Sequence, residues 1–240
     1  MALIKTPEEI AIMKCAAKAT QKVFASALPF IRVGATEREI ADRMEELAMA
    51  LEGVDGLAFP TIIASGPNGA FPHAEITDRT LETGDLVTVD FGVMMGGYAS
   101  DMTRTFVLGS LTQAQRKIYD SVKRSQAAGL AAAKAGMACA DLDAVCRNII
   151  DKDGYGEYFV HTTGHGVGTE VHEDPRLGKE SEARLEAGMV VTIEPGIYIE
   201  GLGGVRIEDT VVITATGCEI ITPLIPKNRV SISKLLHLLQ

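Results

Sequence analysis

Four carboxylates stand out because they occupy matched positions. Residues Leu81 to Gly92 read LETGDLVTVDFG, and residues Leu185 to Gly196 read LEAGMVVTIEPG, with six of twelve positions identical at a constant offset of 104. A seventh pair exchanges one acid for another, Asp90 for Glu194. Asp101 follows Asp90 by eleven residues, and Glu208 follows Glu194 by fourteen. A repeated unit with two acids per copy is how a pseudo-symmetric site for two divalent metals would be built.

Geometry supports that reading. Gly96-Gly97 predicts a hairpin turn that pairs Asp90 with about Thr103. Asp101 is then a diagonal neighbour on the same sheet face, roughly 7–8 Å away at the backbone. Carboxylates so placed can reach metals about 3.5–4 Å apart. In the second copy Gly201, Gly203 and Gly204 are expected to make the turn, bringing Glu194 near Glu208. Four acids in apolar strand contexts cannot all ionise unpaired, since an isolated buried charge costs on the order of tens of kcal/mol. Two divalent cations would bring them close to neutral. The segment from His161 to Pro175 holds three of the five histidines, His161, His165 and His172. His165 lies between close glycines, and its counterpart in the first half is Gly66. It breaks the symmetry as a fifth ligand would. One nitrogen with four carboxylates suits manganese, cobalt, iron or zinc better than a thiolate-type metal.

The elements that position these groups are legible. Thr6-Pro-Glu-Glu9, Thr36-Glu-Arg-Glu39 and Thr112-Gln-Ala-Gln115 are capping boxes, the first with Pro at the first helical position. The first helix groups Ile12, Ala16, Ala19 and Val23 on one side, and the second Ile40, Met44, Leu47 and Leu51. A third is predicted over about Gln113 to Lys134, with Ile118, Val122 and Leu130 apolar, and a fourth from Ala140 to about Lys152. At an offset of 102 the fourth mirrors the second, mapping Ile40, Met44 and Leu47 onto Leu142, Cys146 and Ile149. Gly69…His73 answers Gly168…His172. Leu86–Val89 and Val190–Ile193 are continuously apolar, as in strands covered on both faces. The fold expected is α+β: a helix pair and an acid-bearing hairpin in each half, joined by a pseudo-twofold axis in one domain over residues 1–240.

Composition bounds the rest. Of 240 residues, 46% are hydrophobic and 23% charged, ordinary for a globular chain. The net charge of −9 argues against nucleic acid or an anionic membrane as partner. No apolar run could span a bilayer. Cys15, Cys139, Cys146 and Cys218 form neither CxxC nor a disulfide-like framework, which suits a reducing cytoplasm. Cys146 reads as a core position. The tail, residues 226–240, has no counterpart in the repeat. Its Leu235, Leu236, Leu238 and Leu239 suggest a packed helix or a homodimer contact.

These motifs resemble the catalytic domain of the pita-bread metallopeptidases, which include methionine aminopeptidase, aminopeptidase P and prolidase. The match covers about residues 3 to 225. The resemblance implies a curved antiparallel sheet backed by helices and two divalent metals, with manganese or cobalt foremost. The ligands would be Asp90, Asp101, His165, Glu194 and Glu208, of which Asp101 and Glu208 would bridge both ions. Glu194 would also be general base for a metal-bridged hydroxide, and His73 and His172 would position substrate and stabilise the tetrahedral intermediate. Ser65 to Ala74, the His161…His165…His172-Glu-Asp-Pro run and Gly204-Val-Arg-Ile-Glu-Asp209 resemble the Xaa-Pro-cleaving branch. In that branch His161 and Arg206 are implicated near the proline and the metals. The implied substrates are short peptides. Two features depart from the pattern: Thr162 stands where Gly is usual and Thr169 where an apolar residue is usual. A single catalytic domain is expected, without the N-terminal accessory domain usual for proline-cleaving members. The rival readings are a methionine aminopeptidase and a non-catalytic pita-bread binding module.

Overall fold

The computed structural model describes residues 3–227 and Ile232. The first half contains helices α1 (Pro7–Ala27) and α2 (Glu37–Met49), then strands β1 (Val54–Leu57), β2 (Ile62–Ser65), β3 (Leu86–Phe91), β4 (Val93–Met95), β5 (Tyr98–Ala99) and β6 (Met102–Val107). The second contains α3 (Gln113–Ala132) and α4 (Cys139–Lys152), then β7 (Gly164–Gly166), β8 (Glu173–Leu177), β9 (Val190–Ile193), β10 (Gly196–Ile199), β11 (Gly203–Arg206), β12 (Asp209–Ile213) and β13 (Cys218–Ile220). All three capping boxes are present, at Thr6, Thr36 and Thr112. Each satisfies two otherwise orphaned helix N–H groups.

The helices bury most of the stripes expected of them, although Ile12, Leu47, Leu130 and Ile149 are only half-buried and Leu51 lies beyond the end of α2. Ile40 and Met44 of α2, and Leu142 and Cys146 of α4, are fully buried. Phe24, Ile40, Met44, Val87 and Val89 form one core between α1, α2 and the β2-β3-β6 sheet. Leu142, Cys146, Val191, Ile193 and Val211 form its counterpart against the β13-β12-β9-β7-β8 sheet. Burial on both faces explains why β3 and β9 read as continuous apolar runs. No helix of the described residues is long and apolar enough to cross a membrane.

Every strand pairing is antiparallel, and Asp90 stands opposite Thr103 as the turn at Gly96-Gly97 requires. Both turn glycines adopt positive φ, 58° and 79°. The ladders fall into separate hydrogen-bonded groups for local reasons. Pro195, between β9 and β10, has no N–H to donate. The second hairpin turns on Gly201, whereas Gly203 and Gly204 both belong to β11. The tail beyond Lys227, including Leu235, Leu236, Leu238 and Leu239, lies outside the described residues except for Ile232.

Candidate metal centre

The two hairpins and the β7–β8 pair converge on a cavity of about 530 Å³, within the range of small-ligand sites. All nine predicted site residues line it: Asp90, Asp101, His165, Glu194, Glu208, His73, His161, His172 and Arg206. Phe59, Pro60, Ile62 and Val171 supply apolar wall.

The strands explain these positions. Asp90 is near the end of β3, and Asp101 immediately precedes β6. Glu194 and Glu208 follow β9 and precede β12, so the same two places are used in the second half. His165 sits at the centre of β7, where the chains run unusually close. A Cβ at Gly164 would lie 2.0 Å from the Thr192 carbonyl oxygen, and one at Gly166 would lie 2.2 Å from that of Asp174. Only glycine fits on either side of the imidazole.

One ligand atom each from Asp101, His165 and Glu208 lies within 4.8 Å of the others, and all three residues are buried. His165 Nε2 is 3.1 Å from Glu194 Oε1 and 3.6 Å from Asp101 Oδ2. Asp90 is held differently. Its Oδ2 accepts from Arg206 Nη2 at 2.7 Å. Oδ1 of Asp90, Oδ1 of Asp101 and Oε1 of Glu208 are buried without a hydrogen-bond partner. Buried polar atoms are nearly always satisfied, so three orphaned carboxylate oxygens lining one cavity fit a cation site.

The electrostatics agree. Burial, then the charges of Glu208, Asp90 and Glu194, pushes the Asp101 carboxyl well above its ordinary range. Burial and the charges of Glu194 and Asp90 do the same to Glu208. Burial would also raise Glu194, but the hydrogen bond and charge of His165 outweigh it and hold it down to about 2. Divalent cations would offset this mutual repulsion.

Around this centre His73 and His172 are exposed on the cavity wall, and the His172 ring lies 4.3 Å from that of His165. Burial, then the His165 charge, lowers the pKa of His172. His161 is half-buried and likewise lowered, chiefly by burial. Its Nε2 is 2.9 Å from the Tyr198 hydroxyl, which also accepts from Arg206 Nη1 at 2.9 Å.

Several participants were not foreseen. Besides Tyr198, Thr103 donates to Glu208 Oε2 at 2.6 Å, and the Thr192 hydroxyl donates to Glu194 at 3.0 Å. Threonine and tyrosine are ordinary strand residues, so no sequence signal set these apart. Arg176 was also missed, although it stands opposite His165 on β8 and follows the His-Glu-Asp-Pro run directly.

Metallopeptidase family M24 matches residues 11–215. The chain belongs to this family. M24 relatives include the Xaa-Pro dipeptidase of Pyrococcus furiosus, 49% identical over 92% of this chain and 63% of that protein. Among solved M24 structures, an Xaa-Pro dipeptidase from Bacillus anthracis superposes with a TM-score of 0.93 at 44% identity, covering 95% of this chain and 64% of that one. An Escherichia coli aminopeptidase P matches at 0.89 and 30% identity, over 99% of this chain and 60% of the other. The fold is thus the pita-bread fold shared by prolidase and aminopeptidase P. The chain spans less than two thirds of the length of these M24 relatives.

Proposed function

We propose that this chain is a metal-dependent exopeptidase that hydrolyses the N-terminal peptide bond of short peptides with proline in second position. The observation that carries this is one cavity lined by Asp90, Asp101, Glu194, Glu208 and His165, with three orphaned carboxylate oxygens, inside an M24 fold 49% identical to an Xaa-Pro dipeptidase.

Asp90, Asp101, His165, Glu194 and Glu208 would hold two divalent cations. Manganese or cobalt suits this oxygen-rich set with one imidazole. When bound, such ions lower the pKa of water and polarise a carbonyl. The halves act as one catalytic unit, because each contributes two of the acids.

The remaining work falls to this chain's own side chains. Glu194 accepts the proton of the attacking water as oxygen adds to the scissile carbonyl carbon. His73 and His172, both on the wall, donate hydrogen bonds to the oxyanion. Burial lowers the pKa of His172, which favours its neutral form as a donor. The C–N bond then breaks, and the proton held on Glu194 passes to the proline nitrogen. His161, fixed by the Tyr198 hydroxyl, faces the proline side beside the apolar wall.

Arg176 favours dipeptides. It is an exposed cation on the cavity wall, with no carboxylate in ion-pair distance among the described residues. A peptide of two residues would place its C-terminal carboxylate within this guanidinium's reach, where a fork of donors matches its geometry.

The test is manganese titration followed by chelation. Two bound ions and chelator-sensitive hydrolysis of Ala-Pro support the reading. Metal binding without hydrolysis of any peptide would make the chain a binding module. Preference for Met-Ala-Ser would make it a methionine aminopeptidase.

A further inference from the structure

The segment from Phe159 to His165 runs into the metal centre, and α4 grips it at every second residue. Arg147 donates from Nη1 to the Phe159 carbonyl and from Nη2 to the His161 carbonyl, both at 2.8 Å. Asp143 Oδ1 accepts from the Thr163 hydroxyl at 2.9 Å and from its N–H at 3.1 Å, an N–H shared with the Leu177 carbonyl. Asp143 and Arg147 bind each other through two further bonds, at 2.8 and 2.9 Å. The guanidinium lies 4.1 Å over the Phe159 ring. Asp143 and Thr163 are fully buried.

Thr163 links this pair to the ligands. It is two residues from His165, and its carbonyl accepts the Glu194 N–H at 2.8 Å. We propose that the Asp143–Arg147 pair is a positioning device that sets His165 and Glu194 at the metal centre through Thr163, and His161 through its carbonyl. A buried ion pair is weak evidence for stability, because apolar residues of similar volume often serve as well. What it supplies here is direction: alternate acceptors and donors that fix the register of an extended segment against a helix.

The first half contains a parallel device. Glu37 of α2, the helix that α4 mirrors, is fully buried. It accepts from the Ser65 N–H and hydroxyl, each at 2.7 Å, and from the Thr77 hydroxyl at 2.6 Å. Those residues flank the segment that carries His73. Glu37 and Asp143 do not align at the repeat offset of 102, which pairs Glu37 with Cys139, so the anchoring recurs without sequence identity.

The inference rests on the metal reading of the site, and the test separates the two. Manganese affinity by calorimetry, melting temperature, and kcat and KM on Ala-Pro are compared for the unsubstituted protein, Asp143→Asn, Thr163→Val and Thr163→Ser. Asp143→Asn and Thr163→Val are expected to lose about 10–100-fold in manganese affinity and in kcat with KM little changed, as when a partner that orients a ligand is removed. Thr163→Ser, which keeps the hydroxyl, restores both. Thr163→Val preserves shape and decides the matter if Asp143→Asn does not fold. Normal affinity and turnover in Thr163→Val, or equal impairment in Thr163→Ser, overturns the inference alone. Absence of manganese binding by the unsubstituted protein overturns the metal reading and the inference with it.

Discussion

Arg206 and Asp90 stand 116 residues apart, yet the guanidinium Nη2 lies 2.7 Å from Asp90 Oδ2. The contact joins the second hairpin to the first. It fixes one oxygen of a candidate ligand and leaves the other without a partner. Arg206 also donates to the Pro72 carbonyl, the Tyr198 hydroxyl and the Thr103 hydroxyl, so one side chain ties His73's neighbour to both acid-bearing hairpins.

Arg206→Met therefore leaves a buried carboxylate uncompensated, which typically costs about 3–5 kcal/mol. A lower melting temperature and weakened manganese binding are expected together. Arg206→Lys keeps the charge but lacks the planar fork, and it recovers stability better than kcat. Steady-state kinetics and thermal melts on both variants check this. Full activity in Arg206→Met would remove Arg206 from the site.

The raised pKa values of Asp101 and Glu208 set a pH dependence. In the folded, metal-free protein these carboxyls keep protons that the unfolded chain releases at about pH 4. The unfolded state then binds fewer protons, so this contribution is complete below that pH and is lost as pH rises through the raised folded values. Manganese displaces the same protons, so its affinity strengthens with pH and binding releases protons. Melting curves with chelator and with manganese across about pH 5 to 8 should diverge as pH rises. Parallel curves would contradict the assignment.

Glu194→Gln keeps a ligand oxygen but cannot carry the proton. Its kcat should fall about 10²–10⁴-fold with little change in KM. A rise in KM at unchanged kcat would assign Glu194 to binding.

Arg176→Ala tests the carboxylate contact. Hydrogen bonds to charged groups contribute about 1.5–3 kcal/mol. KM for Ala-Pro should rise about tenfold or more, whereas Ala-Pro amide, which lacks the charge, should be unaffected. Equal effects on both would show that Arg176 does not read the carboxylate.

The sequence carried much of this because the chain repeats itself. Matched acids in two apolar strand runs, with glycine turns between, implied the hairpins, and Asp90 does pair with Thr103. The capping boxes marked three helix starts, and their positions hold. Other features depend on tertiary approach. Thr103 meets Glu208 across 105 residues, and Tyr198 meets His161 across 37. A threonine or tyrosine in a strand is favoured for packing alone, so its partner is invisible until the sheets close. Asp143 and Arg147 read as an ordinary i,i+4 helix pair, and nothing local says that they are buried. The turn assignment failed at a boundary for Gly203 and Gly204: three nearby glycines suggested a turn, but only Gly201 lies in it and the other two open β11.

Specificity is the most direct test of the central claim. The 240-residue protein, loaded with manganese, is offered Ala-Pro, Ala-Pro-Ala and Met-Ala-Ser, and kcat/KM is measured for each under one condition. The proposed function predicts clear hydrolysis of the Xaa-Pro peptides, abolished by chelation, with Ala-Pro preferred and little action on Met-Ala-Ser. A preference for Met-Ala-Ser, or hydrolysis that survives removal of the metal, would contradict it.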